Sequence, residues 1–244
     1  MLLKCAGTGS SGNSYALISD SGEILLIECG VQWNKILKMI NYQTSSVVGC
    51  IATHFHGDHL CSYKDCLHYG IPIYTNDETS EHFEVISGEK MIGKPERIPF
   101  TVGSFKIIPF YLPHDNTPNF GFLIEHEEMG KLLYCTDYEY LPYSFKNMRI
   151  NQFLLECNHL ADMVDKSEAK YEHSIRGHSE LSTVKEIISV NKTPEMRNII
   201  LCHLSEGWSD EKRMKVEIQE TAGKWVRVEV AHAGLELPLS RYPF

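Results

Sequence analysis

The stretch CIATHFHGDHL, residues 50–60, decides how the rest of the chain is interpreted. Four side chains that bind metals, namely His54, His56, Asp58 and His59, fall within it. The run VVGCIATH is apolar and strand-like, whereas HLCSYKDCLHYG has the pattern of a helix. The cluster is therefore predicted to lie on a loop between a strand end and a helix start, where functional residues are often found.

The spacing of this cluster predicts two adjoining metal sites rather than one. His54 and His56 project to the same side of an extended segment. Gly57 is expected to allow a sharp turn, after which Asp58 and His59 project from the start of the helix. Imidazole and carboxylate ligands suit borderline metals such as zinc. Four ligands so close in sequence rarely converge on one tetrahedral ion, so each site needs further ligands from elsewhere.

Three further residues have the position that such ligands require. His114 ends the run FKIIPFYLPH, Asp137 ends KLLYCTD, and His203 ends RNIILCH. A single histidine of this kind is more often an ordinary solvated residue. Three candidates, each at the end of an apolar strand and all after the cluster, make coincidence a poor explanation. The carboxylate of Asp137 is also able to bridge two ions, which an imidazole cannot do.

The pattern of strands and helices predicts one α+β domain over residues 1–244. The first third alternates short strands with Gly/Ser turns, typical of an antiparallel meander. Two strand-rich halves, each flanked by helices, predict two packed sheets with helices outside, a four-layer αββα sandwich.

Composition limits the classes of function. The net charge of −9 argues against a protein that tracks long nucleic acid, because such proteins usually present a basic face. No apolar run approaches the roughly 20 residues of a membrane span, and the start of the chain lacks the features of a secretory signal. Eight scattered cysteines without a CxxC pair indicate buried thiols in a reducing compartment. We therefore expect a cytoplasmic protein without a membrane partner.

The motif HFHGDH, with the later His, Asp and His, resembles the metallo-β-lactamase superfamily over nearly the whole chain. The resemblance implies an αββα sandwich with two Zn²⁺ ions, or Mn²⁺ as an alternative, at the shared edge of the sheets. It implies His54, His56 and His114 as ligands of one metal, and Asp58, His59 and His203 as ligands of the second, with Asp137 bridging. The motif specifies the fold much better than the substrate.

Shorter segments resemble particular branches of this superfamily. GTGSSGNSYALI, ILLIECG and LLECNHLADM resemble the YycJ/WalJ nuclease-like branch, and RGHSELSTVKEII with CHLS resembles RNase Z enzymes. The latter resemblance implies that His178 assists proton transfer to the leaving oxygen, although a solvated helix start would also explain it. We predict Asp58 and His178 as catalytic residues. Glu28 replaces the usual Asp of the branch, and we expect it to orient a metal-binding histidine.

The glycine-rich segment GTGSSGNS allows two structural interpretations. It resembles a phosphate cradle in composition, but no helix is predicted to follow it, so the helix dipole of such a cradle is absent. A turn between two strands is the favoured prediction.

The compact chain has no room for the RNA-gripping arm of tRNA-processing RNase Z or the inserted domain of β-CASP nucleases. In this respect it resembles anti-Pycsar phosphodiesterases. We therefore predict a dinuclear zinc phosphodiesterase acting on cyclic mononucleotides such as cyclic CMP or cyclic UMP, in a bacterial or phage-infected cell. The alternatives are a YycJ/WalJ-like DNA exonuclease and, in another class, a non-catalytic metal-binding protein. The resemblance also implies a homodimer.

Overall fold

The computed structural model describes residues 1–87, 91–169 and 171–242. The first half of the chain forms β1 (Leu2–Gly7), β2 (Ser14–Ile18), β3 (Ile24–Ile27), α1 (Trp33–Met39), β4 (Val47–Ile51), α2 (Gly57–Leu60), α3 (Tyr63–His68), β5 (Ile73–Thr75), α4 (Asp77–Ser87) and β6 (Ile92–Gly93). The second half forms β7 (Phe100–Val102), β8 (Phe105–Leu112), β9 (Asn119–His126), β10 (Gly130–Cys135), β11 (Gln152–Glu156), α5 (Tyr171–Gly177), α6 (Leu181–Asn191), β12 (Asn198–Cys202), α7 (Glu211–Ala222), β13 (Arg227–Val230) and β14 (Glu236–Pro238).

The strands form two mixed sheets of seven strands each. The first has the order β14-β1-β2-β3-β4-β5-β6 and the second the order β13-β12-β11-β10-β9-β8-β7. Strands β3 to β6 run parallel, as do β10 to β13, whereas the remaining neighbours are antiparallel. The predicted antiparallel meander is therefore β1-β2-β3.

Three apolar layers hold the elements together. The central layer lies between the sheets and contains side chains of both, such as Leu25 and Leu154. A second layer packs α6 and α7 on one sheet through residues such as Val184 and Ile218. The third packs α1, α3 and α4 on the other sheet through residues such as Ile36 and Cys66. This is the predicted four-layer αββα sandwich.

Several local predictions need correction. The helix predicted over HLCSYKDCLHYG is two helices, because the backbone N–H and hydroxyl of Ser62 bond to the carbonyls of Cys29 and Val31. The run VRVEVAHAGLEL, residues 226–237, has the pattern of one strand at the end of the chain, but it contributes to two strands, β13 and β14, which belong to different sheets. Helices α4 and α5 were not predicted. Gly57 has no left-handed φ, so its expected role in a sharp turn is wrong; it is the first residue of α2.

All eight cysteines are free, and only Cys61 is exposed, in agreement with the predicted buried thiols. Among the helices that the structure describes, none combines the length and the apolar character that a membrane crossing requires.

Candidate metal centre

The predicted ligands lie together where strands of both sheets end. His54 follows β4, His114 follows β8, Asp137 follows β10 and His203 follows β12. Because the parallel strands of a sheet end on the same side, their following residues meet at one edge. The short helix α2 adds Asp58 and His59 to this edge.

One group consists of His54, His56 and His114, whose ligand atoms all lie within 4.8 Å of one another. His54 Nε2 is 2.8 Å from His56 Nδ1. His114 Nδ1 is 2.8 Å from the carbonyl oxygen of Gly177 and donates its proton there, which leaves Nε2 facing the group. That Nε2 is buried and has no hydrogen-bond partner among the described residues. A buried nitrogen without a partner is costly, so its lone pair suits a metal ion.

A second group adjoins the first and consists of Asp58, His59, Asp137 and His203. Asp58 Oδ2 lies 3.4 Å from His59 Nε2 and 3.7 Å from His203 Nε2. His203 Nδ1 approaches Asp137 Oδ1 to 2.9 Å, yet the contact is not aligned as a hydrogen bond. Both ring nitrogens of His203 therefore lack a hydrogen-bond partner within the described part of the chain.

Asp137 joins the two groups. Its Oδ2 lies 3.9 Å from His54 Nε2, 3.8 Å from His114 Nε2 and 3.3 Å from His59 Nε2. The residue has a left-handed backbone with φ of 53°, which is uncommon for a residue with a side chain and typical of functional positions. Its carboxylate would be able to contact cations held by both groups.

The electrostatics of the centre fit divalent cations. Burial lowers the pKa of His54, and His59 nearby lowers it further, so His54 offers a free lone pair. Burial would also lower the pKa of His59 and of His203, but the charge of Asp137 raises both. Burial would raise the pKa of Asp137, but His203 and His59 hold it well below its usual value. The negative charge of Asp137 thus favours protons on two buried imidazoles. It would attract a divalent cation more strongly than a single proton, because the cation carries twice the charge.

Glu28 lies where the sequence predicted an orienting carboxylate. Its Oε1 is 3.4 Å from Nδ1 of His59. The carboxylate also accepts hydrogen bonds from the backbone N–H of Thr53 and from the hydroxyl of Tyr134, both at 3.2 Å. Glu28 is completely buried, so these contacts fix it on the Nδ1 side of His59, whereas Nε2 of that ring faces Asp58 and Asp137.

The glycine-rich segment is a turn between β1 and β2, as predicted, and it supports the cluster. The backbone N–H of Asn13 donates to the carbonyl of Asp58 at 2.7 Å, and its side-chain amide lies 3.3 Å from the same oxygen. Asn13 also accepts a hydrogen bond from the backbone N–H of Gly9 at 2.9 Å. The segment thus holds the Asp58–His59 turn in place.

Glu156 was not predicted as a site residue, although it ends the apolar run QFLLE. It is completely buried, and its Oε1 accepts a hydrogen bond from Nδ1 of His178 at 2.7 Å. Its Oε2 accepts hydrogen bonds from the backbone N–H groups of Asp137 and Tyr138. Burial would lower the pKa of His178, but the charge of Glu156 raises it. His178, predicted from sequence alone, therefore lies beside the centre with a fixed ring.

Metal loading should distinguish two sites from one. Protein stripped by a chelator and dialysed against zinc is expected to hold about two ions per chain, since ligand sets of this kind bind zinc tightly. His203→Ala should lower the content to about one ion and His232→Ala, an exposed control, should not change it. Elemental analysis and the accompanying rise in Tm measure this. A wild-type content of one ion would contradict the two-site arrangement.

Comparison with solved structures finds this fold in proteins of low sequence identity. The metallo-β-lactamase fold protein YhfI from Bacillus subtilis is 19% identical with a TM-score of 0.77, over 97% of this chain and 99% of that one. A diphosphatase of the PhnP family is 16% identical with a TM-score of 0.71, over 97% and 96%. The short form of human tRNase Z is 17% identical with a TM-score of 0.64, over 98% and 99%.

Sequence comparison adds one finding. A family model described as the anti-Pycsar protein Apyc1 matches residues 2–66, a segment that contains the glycine-rich turn and the HFHGDH motif. No curated protein matches the chain significantly in sequence. Together with the two sheets, the flanking helices and the ligands at their shared edge, the structural matches show that this chain has the metallo-β-lactamase fold.

Proposed function

We propose that the chain is a metal-dependent phosphodiesterase for small nucleotides, with 3′,5′-cyclic CMP and cyclic UMP as first candidates. The main observation in support is that Asp137 joins two groups of candidate ligands. His178 lies beside them and is held in place by Glu156. The match of residues 2–66 to the Apyc1 family supports the proposal. So does the fold shared with a diphosphatase and with tRNase Z.

The two ligand groups fit two divalent cations, zinc first and manganese as the alternative. Such ions, when bound, neutralise the charge of a phosphate and make hydroxide accessible near neutral pH. Asp58 is the ligand carboxylate nearest to solvent, with its side chain 24% exposed. We propose that Asp58 orients the attacking water in addition to binding a metal, which gives a specific role to a residue that the sequence predicted only as catalytic.

His178 is proposed to protonate the leaving oxygen. Glu156 accepts the hydrogen bond from Nδ1, so Nε2 is the ring nitrogen that remains for the substrate. Water loses a proton to solvent, the resulting hydroxide attacks phosphorus, and the bond from phosphorus to O3′ breaks. The proton of Nε2 passes to O3′, and Nε2 regains a proton from solvent afterwards. The raised pKa of His178 keeps a proton available for this step.

A substrate panel tests the proposed function. The metal-loaded protein is incubated with cyclic mononucleotides, cyclic dinucleotides and 5′-labelled DNA, and the products are separated by chromatography. Hydrolysis of cyclic mononucleotides to mononucleotides is expected. Progressive loss of DNA with intact cyclic nucleotides would establish the exonuclease alternative instead. No hydrolysis of any phosphodiester would favour a non-catalytic metal-binding protein.

The role of His178 predicts a dependence on the leaving group. His178→Ala should slow hydrolysis of a cyclic nucleotide by about 10²–10³-fold, because the alkoxide leaving group needs a proton. The loss with bis(4-nitrophenyl) phosphate should be about tenfold or less, because 4-nitrophenolate leaves without one. Equal losses with both substrates, at unchanged metal content, would rule out the proton-donor role.

The assembly and location remain proposals. We propose a homodimer, which light scattering of the purified protein would test, and a cytoplasmic location in a bacterial or phage-infected cell. The eight free cysteines fit a reducing compartment. The net charge of −9 supports a small nucleotide rather than long nucleic acid as the partner.

A further inference from the structure

A second carboxylate–imidazole pair lies at the mouth of the metal centre. His173 on α5 places Nδ1 2.8 Å from Oδ2 of Asp115. Its ring centroid is 5.6 Å from that of His178 and 6.0 Å from that of His114. Unlike His178, His173 is exposed, with about half of its side chain accessible to solvent. The centre thus has two oriented imidazoles on one rim.

Two hydrogen bonds between α5 and the segment of His114 and Asp115 fix the position of this pair. Asp115 follows the ligand His114 directly, and its backbone N–H donates to the carbonyl of Arg176 at 3.2 Å. Gly177, the next residue of α5, accepts the hydrogen bond of His114 Nδ1. The turn itself is strained, since Asp115 and Asn116 have left-handed φ values of 34° and 61°. Strain of this kind is concentrated at functional sites.

The hydrogen bond to Asp115 decides which atom of His173 is available. An ionised carboxylate only accepts hydrogen bonds, so Nδ1 carries a proton and donates it. Nε2 has no hydrogen-bond partner within the part of the chain that the structure describes. A free Nε2 accepts a hydrogen bond when the ring is neutral and donates one when it is charged. A hydroxyl group is a suitable partner in both cases, because it both donates and accepts.

We propose that His173 binds the ribose 2′-hydroxyl of the substrate, with Asp115 as its positioning residue, so that the site selects ribonucleotides over 2′-deoxyribonucleotides. The inference rests on the proposed function, in which His178 contacts O3′. The 2′-hydroxyl is on the carbon next to the one that bears O3′, and in ribose the two oxygens are on the same face of the ring. Two imidazoles with centroids 5.6 Å apart on one rim are spaced to contact one oxygen each.

A substrate pair tests this contact directly. Wild-type protein should hydrolyse cyclic CMP with a kcat/KM about tenfold above that for 2′-deoxy cyclic CMP, as expected for one hydrogen bond. In His173→Phe, which keeps a ring and loses both nitrogens, the ratio should fall toward one. His173→Gln, with a side-chain amide in place of the ring, should retain part of the preference, and Asp115→Asn should show an intermediate ratio.

Two measurements and a control variant separate this role from a structural one. Metal content and Tm of each variant show whether the centre and the fold are intact, and a general loss of stability would not change the ratio between two substrates. His68→Phe, an exposed histidine on α3, is the matched control and should keep the wild-type ratio. A wild-type ratio near one, or a preference retained in His173→Phe, would overturn the inference while leaving the phosphodiesterase intact. Failure of the wild type to hydrolyse either nucleotide would overturn both.

Discussion

Asp137→Asn should lower kcat/KM for a phosphodiester by about 10³-fold or more, the largest catalytic loss expected of any single substitution at this site. The amide has nearly the shape of the carboxylate, but it has no negative charge and only one oxygen. Asp137 is 2% exposed and approaches both ligand groups, and among the carboxylates that the structure describes none other is in contact with both. The loss corresponds to about 4 kcal/mol of transition-state stabilisation.

Metal content and activity are measured together for this variant. We expect Asp137→Asn to hold about one ion fewer than the wild type, since the charge of Asp137 offsets that of two cations. Asp162→Asn is the control, because Asp162 forms an exposed ion pair with Arg213 and should leave both measurements unchanged. A variant that retained two ions and more than a tenth of the activity would show that Asp137 is not a bridge.

The grouping of the candidate ligands could be predicted from sequence because each candidate is tied to a local signal. His114, Asp137 and His203 each follow an apolar strand that is easy to recognise, and parallel strands bring their ends to one edge. The layer arrangement could be predicted for the same reason, since strand and helix patterns are properties of short segments. What these signals have in common is that they do not depend on which segments later come into contact.

The supporting residues carry no such local signal. Glu156 acts on Asp137 and His178 only because β10 and β11 pair in parallel and place Glu156 beside the end of β10. Asp115 and His173 are far apart in sequence, and their contact exists only after α5 has docked. Candidate metal ligands and candidate catalytic histidines can therefore be recognised in a sequence. The residues that position them can be recognised only once the fold is known.

Gly30→Ala should have the largest effect on stability, and its cause is a contact of backbone with backbone. A Cβ at position 30 would lie 1.7 Å from the carbonyl oxygen of Asp58 and 2.6 Å from the backbone nitrogen of His59. Real Cβ atoms essentially never come within 3.0 Å of another atom, so the chain that carries these two ligands has to move. The other side of Gly30 is packed as closely, because a Cβ at Gly12 would lie 2.2 Å from the carbonyl oxygen of Gly30. The backbone of Gly30 therefore has no space to move toward Gly12.

We expect Gly30→Ala to destabilise the protein by about 3 kcal/mol or more, which for a chain of this size lowers Tm by roughly 6–12 °C. Zinc binding should weaken as well, because the displaced segment carries ligands of the second group. Gly57→Ala is the matched control, since Gly57 directly precedes Asp58 and a Cβ there meets nothing within 4 Å. It should therefore change Tm little, because an exposed alanine at the start of α2 adds no strain. If the two variants had the same Tm, the close packing of Gly30 against Asp58 and His59 would not be important for holding these candidate ligands in place.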